Sequence, residues 1–76
     1  MRLSELQGKD IINTIDGKKI GNIIDVNIGL NGNMESFVVE KGRFFFKLFG
    51  REEVLVRWDQ VNKIGEDVIL VKVDVL

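Results

Sequence analysis

The side chains that could carry chemistry in this sequence are carboxylates, amides and cations, because the chain contains neither His nor Cys. Without these residues it has no imidazole base, no thiolate nucleophile and no sulfur-ligated metal site. Carboxylates occur as two adjacent pairs, Glu52-Glu53 and Glu66-Asp67. Neighbouring strand residues point to opposite faces, so neither pair converges as an acid–base dyad must. We therefore expect no catalytic residue, no metal site and no cofactor.

Two short stretches resemble ligand-binding loops without fulfilling their patterns. Residues 25–36 begin Asp-x-Asn, as a calcium loop does, but Leu30 stands where that loop needs Gly and Ser36 where it needs Glu. Residues 16–21 contain two Gly and two Lys without the spacing of a phosphate loop. Both stretches are typical of strands joined by Asn-Gly and Asp-Gly turns.

One stretch, residues 41–51, is unusual in composition and is called here the basic–aromatic segment. It contains four of the five Phe and four positive charges without a negative one, in a chain whose net charge is −1. Its candidate contact residues are Lys41, Arg43, Phe44, Phe45, Phe46, Lys47, Leu48, Phe49 and Arg51.

Three roles compete for the basic–aromatic segment. As a hairpin arm, it would pack Phe44, Phe46 and Leu48 onto the core at the period of a strand, and Phe45 and Phe49 would then fall on the opposite face. As a protein-docking or self-association surface, it would expose aromatic and Arg side chains of the kind found at interface hot spots. As a third role, its cations and aromatics would contact nucleic acid or a membrane surface.

The elements that position these residues are predicted to be strands. Val and Ile supply 19 of the 34 hydrophobic residues and Ala supplies none. Side chains branched at Cβ pack well on a pleated sheet, and the eight Gly and six Asn favour short strands joined by tight turns. A length of 76 residues suits one domain with a thin core. The sequence therefore predicts a single all-β domain over residues 1–76, folded as a small barrel or sandwich.

Alternating apolar residues place the strands. The predicted strands cover residues 10–15, 20–28, 34–40, 53–58, 62–64 and 68–75. In the second strand, Ile20, Ile24, Val26 and Ile28 are expected to share one face. The same alternation groups the apolar residues of three other strands: Phe37 and Val39 in the third, Val54, Val56 and Trp58 in the fourth, opposite Glu53, Leu55 and Arg57, and Ile69, Val71, Val73 and Val75 in the last. Residues 29–33 predict a turn, and Gly21 marks a bulge or bend.

Three local features complete the predicted architecture. Asp16-Gly17 is typical of a two-residue type I′ turn, which needs a positive φ at both positions. Ser4 and Gln7 have the spacing of a capping box for one helical turn. Trp58 is interpreted as a core anchor rather than a ligand platform.

The sequence also bears on location and partners. Its longest apolar run, Val68 to Val71, is far shorter than the ~20 residues that cross a bilayer. The first residues lack the apolar core of a signal peptide, so we expect a cytoplasmic protein. The near-zero net charge argues against nucleic acid as the main partner. We expect a protein partner of unknown identity, or a homodimer or larger homo-oligomer, because association buries more apolar surface in so short a chain.

Three stretches together resemble one known family. Residues 3–13 look like the start of a PRC-barrel domain, residues 16–26 look like its "DGxxIGxxxDV" segment, and residues 49–71 are the most specific. Their order is similar to that of the short, single-domain PRC-barrel proteins of the YlmC/YmxH sporulation family, over essentially the whole chain. Relatives usually have Ile-Pro before the Trp, whereas this chain has Val56-Arg57 and so keeps an N–H donor and adds an exposed charge.

The resemblance implies both fold and function. It implies a six-stranded, strongly bent β-barrel with at most one short helical turn, and it implies no catalysis. PRC-barrel domains in the photosynthetic reaction centre H subunit and in the ribosome maturation factor RimM look like docking modules for other proteins. The expected function is a sporulation-associated, non-enzymatic adaptor that uses the basic–aromatic segment as its contact surface. The alternative is a small-barrel RNA-binding protein.

Overall fold

The strands form one continuous sheet, with a short helix at its start. The computed structural model describes residues 1–41 and 52–74. Its elements in chain order are α1 (Leu3–Gln7), β1 (Asp10–Asn13), β2 (Lys19–Ile28), β3 (Met34–Lys41), β4 (Glu52–Arg57), a 3₁₀ helix (Trp58–Gln60), β5 (Val61–Ile64) and β6 (Val68–Val71). The sheet order is β4-β3-β2-β1-β6-β5, and neighbours are antiparallel except for the parallel pair β1 and β6. The predicted all-β fold is confirmed.

A short connection forces this sheet to bend. β4 and β5 are the two ends of the strand order, yet only the 3₁₀ helix links them. The Cα atoms of Arg57 and Val61 can lie at most about 15 Å apart along this link. Five strand spacings in a flat sheet would measure about 24 Å. The sheet therefore curls until its ends approach, although β4 and β5 do not pair and the predicted barrel is not closed.

Alternate strand residues fill one core. Phe37 and Val39 of β3, and Val56 of β4, are fully buried, as is the pair Ile69 and Val71 of β6. The predicted inward faces of β3 and β6 are thereby confirmed. The described core residues come from α1, from five strands and from the chain after β6: Leu6, Ile11, Ile20, Ile23, Phe37, Val39, Val56, Ile69, Val71 and Val73. Val75, predicted to continue this face, lies outside the described residues.

β2 departs from its predicted alternation because of a bulge. Its pairing with β3 shifts register after Ile23, so Ile24 is an extra residue. An extra residue reverses the side on which later side chains fall. Ile20 and Ile23 are buried, Ile24 is half-buried and Ile28 is exposed. The prediction that Ile20, Ile24, Val26 and Ile28 share one face is therefore wrong.

Gly21 of β2 lies in close contact with the backbone of β3. A Cβ at this position would stand 1.8 Å from the carbonyl oxygen of Glu40, so no other residue fits without moving the backbone. The pairing of β1 with β2 also shifts register here, since Ile11 faces Gly21 while Ile12 faces Lys19. The bulge predicted at Gly21 is confirmed.

The connection from β1 to β2 is longer than predicted. The N–H of Asn13 donates to the carbonyl of Lys18 at 2.9 Å, and the N–H of Gly17 donates to the carbonyl of Asn13 at 2.8 Å. Only Gly17 in this loop has a positive φ, +71°, whereas a type I′ turn needs two such residues. The two-residue turn is therefore wrong. So is the placement of Ile15 in β1, because Ile15 lies in the loop and is exposed.

Two further local predictions are corrected. α1 begins at Leu3, with Arg2 as N-cap and no side-chain cap, so Ser4 lies inside the helix and forms no capping box. Trp58 is 48% exposed rather than buried. Its ring contacts the core edge-on through Phe37, with ring centroids 6.0 Å apart and planes at 74°. Trp58 thus covers the core from outside instead of anchoring it from within.

Candidate functional site

The strand residues on either side of positions 42–51 are paired with each other. Lys41 ends β3, Glu52 begins β4, and the two are cross-strand partners. The Lys41 ammonium lies 3.3 Å from the Glu52 carboxylate. A partly exposed ion pair adds little stability, but it links the last residue of β3 to the first residue of β4.

Lys41 is the one candidate contact residue that the structure describes, and it is half-buried. The remaining candidates lie outside the described residues: Arg43, Phe44, Phe45, Phe46, Lys47, Leu48, Phe49 and Arg51. Their role as a contact surface stays a prediction. The described chain shows that Lys41, the first residue of the segment, and Glu52, the residue that follows it in the sequence, are paired at one end of β3 and β4.

Next to the Lys41–Glu52 pair, the residues of β4 alternate between a solvent-exposed face and a buried face. Glu53, Leu55 and Arg57 are exposed, while Val54 is half-buried and Val56 is fully buried. The period-two pattern of the sequence predicted these two faces. Sequence reasoning missed that β4 is an edge strand of the sheet, since strand order depends on pairings between distant residues.

An open groove of about 480 Å³ adjoins the 3₁₀ helix. Its lining is mostly polar and charged: Ile15, Arg57, Asp59, Gln60, Asn62, Lys72 and Asp74. Within it, Arg57 Nε bonds Asp59 Oδ1 at 3.2 Å, and the Arg57 N–H donates to Gln60 Oε1 at 2.9 Å. The N–H donor and exposed charge predicted at position 57 are therefore confirmed. Water solvates these exposed charges of both signs, so the groove offers no strongly charged or desolvated ligand site.

Among the described acidic groups, Asp10 is the one whose pKa its neighbours clearly shift. Its carboxylate accepts from the Lys19 ammonium at 3.0 Å and from Asn22 Nδ2 at 3.2 Å. The hydrogen bond from Lys19, followed by that from Asn22, lowers the pKa of Asp10 below its ordinary value of 3.8. An acid held ionised in this way serves as a structural acceptor and is poorly suited to proton transfer near neutral pH.

The stretch that resembles a calcium loop has a structural role. Residues 25–36 run from the end of β2 through a turn into β3, and the Gly29 N–H closes that turn by donating to the Asn33 carbonyl at 2.7 Å. The interpretation of this stretch as a strand entering a turn is confirmed. Within residues 1–41 and 52–74, no three acidic side chains converge where they could hold a metal ion.

In the described part of the chain, no helix has the length and apolar character needed to traverse a bilayer.

Comparison with known proteins identifies relatives along nearly the whole chain. The family model "PRC-barrel domain" matches residues 1–75. "Probable sporulation protein YlmC" of Bacillus subtilis (strain 168) is 42% identical over 72 residues, which cover 92% of this chain and 89% of the relative. "Uncharacterized protein YmxH" of the same organism is 28% identical over 76 residues, covering 96% of this chain and 89% of the relative. The resemblance carried by the three sequence stretches is confirmed.

Proposed function

This chain belongs to the PRC-barrel family, and on that basis we propose that it is a non-enzymatic protein-interaction module. It acts in the cytoplasm in connection with sporulation, as the name of the YlmC relative suggests. Its contact surface is the basic–aromatic segment. The observation that carries this proposal is the concentration of four Phe and three further cations between Lys41 and Glu52, whose side chains hold two strand ends together.

The chemistry of the described polar groups supports a role without catalysis. The Asp10 carboxylate is occupied by Lys19 and Asn22. The amide of Asn13, which is buried, is occupied by backbone groups of Ile15 and Val73. Neither group is available to act as an acid or base toward a substrate, and the charges of the groove are exposed.

The described core supports an external role for the Phe-rich stretch. Buried side chains from α1 and five strands already form one cluster, and Val61 and Ile64 of β5 pack against it. Phe37, the fifth Phe, is fully buried in that cluster. A domain of this size has a small interior, so four more Phe suit a protein interface, where aromatic and Arg side chains provide much of the binding energy.

The test replaces Phe45 and Phe49 together by Ser in the full chain. We expect the variant to keep its melting temperature within a few degrees and to lose a protein captured from sporulating cells. Capture is measured by quantitative mass spectrometry on a tagged chain and then repeated with the purified partner. Leu30→Ser is the matched control, since it removes an apolar side chain that is fully exposed in the turn between β2 and β3.

A core variant makes the result decisive. Phe37→Ser should unfold the protein, because it places a hydroxyl in a fully buried position and leaves a cavity. If the Phe45/Phe49 variant unfolds like Phe37→Ser, the segment is core and the proposal is wrong.

The salt dependence of RNA binding distinguishes the alternative, an RNA-binding protein, from the proposed protein-interaction module. Phosphate contacts release counterions, so RNA retention on a filter should fall steeply between about 50 mM and 200 mM salt. We expect no such retention, because Glu52 already pairs with Lys41 and Glu40 and Glu53 lie beside them. Salt-dependent binding of single-stranded RNA that Arg43→Glu with Lys47→Glu abolishes would replace the docking proposal.

A further inference from the structure

β4 is an open edge of the sheet. All six of its residues pair with β3 without a register shift. Among the described residues, its other side forms no backbone hydrogen bond with any strand. A regular edge strand with unpaired N–H and C=O groups is a template on which another strand can pair.

The opposite edge, β5, is protected in ways that β4 is not. β5 has four residues, and its pairing with β6 shifts register between Val61 and Lys63. Short edges, irregular pairing and an exposed Lys all discourage strand addition. β4 is longer, regular, and contains neither Lys nor Pro. Strand addition is therefore favoured at β4.

The exposed face of β4 is complementary to itself. Glu53, Leu55 and Arg57 follow one another on this face as an acid, an apolar residue and a base. In an antiparallel pair of identical strands centred on Leu55, Glu53 of each copy faces Arg57 of the other, and the two Leu55 side chains face each other. Opposite charges and apolar pairs placed directly across a sheet stabilise the pairing.

The hydrogen-bonding pattern selects this register. Alternate residues of a strand turn their N–H and C=O groups toward the same edge. Residues that face each other in an antiparallel pair must both turn these groups into the pair or both turn them away from it. Two identical strands meet this condition only when the two-fold axis passes through a residue rather than between two residues. Centring on Val54 would place Glu53 opposite Leu55, and centring on Val56 would place Arg57 opposite Leu55. Only centring on Leu55 gives each residue of the exposed face a complementary partner, because Glu53 then faces Arg57 and Leu55 faces Leu55.

We propose that two copies of this chain associate through antiparallel pairing of β4 with β4, with Leu55 at the two-fold axis. The apolar contact would extend to Val38, which is half-buried and lies across from Leu55 on β3. Trp58, the only Trp of the chain, follows Arg57 and would lie near Glu52 of the second copy. This interface does not depend on the proposed docking role of the basic–aromatic segment.

The test uses charge reversal of the full chain, with mass measured by sedimentation velocity. The parent should be dimeric. Glu53→Arg alone places Arg opposite Arg57, and Arg57→Glu alone places Glu opposite Glu53, so each should weaken self-association by roughly tenfold or more. An equimolar mixture of the two variants restores both opposite-charge contacts and should form a heterodimer with near-parent affinity. Its formation should also change the emission of Trp58.

Controls keep this result specific to β4. Glu66→Arg changes the net charge as Glu53→Arg does but alters an exposed turn residue outside the interface, and it should dimerise like the parent. A monomeric parent at several hundred micromolar would overturn the proposal. Single variants that dimerise like the parent would overturn it as well, as would a mixture that fails to restore the dimer.

Discussion

The side chain of Asn13 takes the place of a strand partner for Val73. Asn13 Nδ2 donates to the carbonyl of Val73 at 2.7 Å, and the N–H of Val73 donates to Asn13 Oδ1 at 3.4 Å. Val73 lies two residues beyond the end of β6, and both residues are buried. One buried amide therefore continues the attachment of the chain after β6 to the end of β1.

Replacing Asn13 by Ala should destabilise the fold strongly. The change leaves the carbonyl and the N–H of Val73 without their side-chain partner in a buried setting. Unsatisfied buried groups of this kind cost about 2–3 kcal/mol, to be measured by urea denaturation. Asn62→Ala is the matched control, because that exposed amide has one long contact, 3.4 Å to Thr14. Equal losses in the two variants would contradict the structural role of Asn13.

Replacing Gly21 by Ala should disrupt the β2–β3 contact. The added Cβ would overlap the backbone carbonyl of Glu40, which cannot move aside as a flexible side chain could. Overpacking costs about 3 kcal/mol or more when the obstacle is rigid, so we expect a large drop in the unfolding midpoint. Gly8→Ala is the control, since a Cβ there meets nothing closer than 3.7 Å and should leave stability unchanged or slightly raised. A Gly21→Ala protein as stable as the parent would show that the two strands can separate without cost.

Replacing Asp10 by Asn should make stability less sensitive to acid. The hydrogen bond from Lys19, and then that from Asn22, lowers the pKa of Asp10 in the folded state. The resulting stabilisation is complete above the unfolded-state pKa near 3.8 and is lost as pH falls through the lower folded-state pKa. Urea midpoints at about pH 6 and about pH 2.5 should therefore differ less in Asp10→Asn than in the parent.

Lys19→Gln provides the complementary measurement. Without the ammonium, the pKa of Asp10 should rise toward its ordinary value, which an NMR titration of the carboxyl group detects. A titration that is unchanged in Lys19→Gln would mean that the ion pair does not act on Asp10 in solution.

Trp58 should stabilise the fold through its aromatic contact with Phe37. Edge-to-face pairs add about 0.5–1.5 kcal/mol to simple burial, so Trp58→Ala should lose about 1–2 kcal/mol of unfolding free energy. Trp58→Phe retains a ring and should keep most of that stability. Ile28→Ala, at an exposed position on β2, is the control and should change stability by less than about 0.5 kcal/mol. Equal losses from Trp58→Phe and Trp58→Ala would argue against the ring contact.

Local pattern was sufficient where a strand alternates without interruption. The inward residues of β6, and those of β3 from Phe37 onward, follow directly from period two, because the pleat places every second side chain on one face. In β2 the same reasoning fails at Ile24, since a bulge depends on how the neighbouring strand pairs. The exposed face of β4 could be read from its sequence, whereas its place at the sheet edge could not.

The amino-acid sequence alone determined that this is a small all-β domain of PRC-barrel type without His or Cys chemistry, because side-chain branching, turn residues and residue inventory are local properties. The tertiary structure decided which distant residues are in contact, which side chains are exposed and which strand lies at the edge of the sheet. It brings Asn13 to Val73 across 60 positions of chain, turns Trp58 outward over Phe37 and leaves β4 open. The physical reason is that pairing order and bending are set by contacts between distant segments, which a period along the chain does not encode.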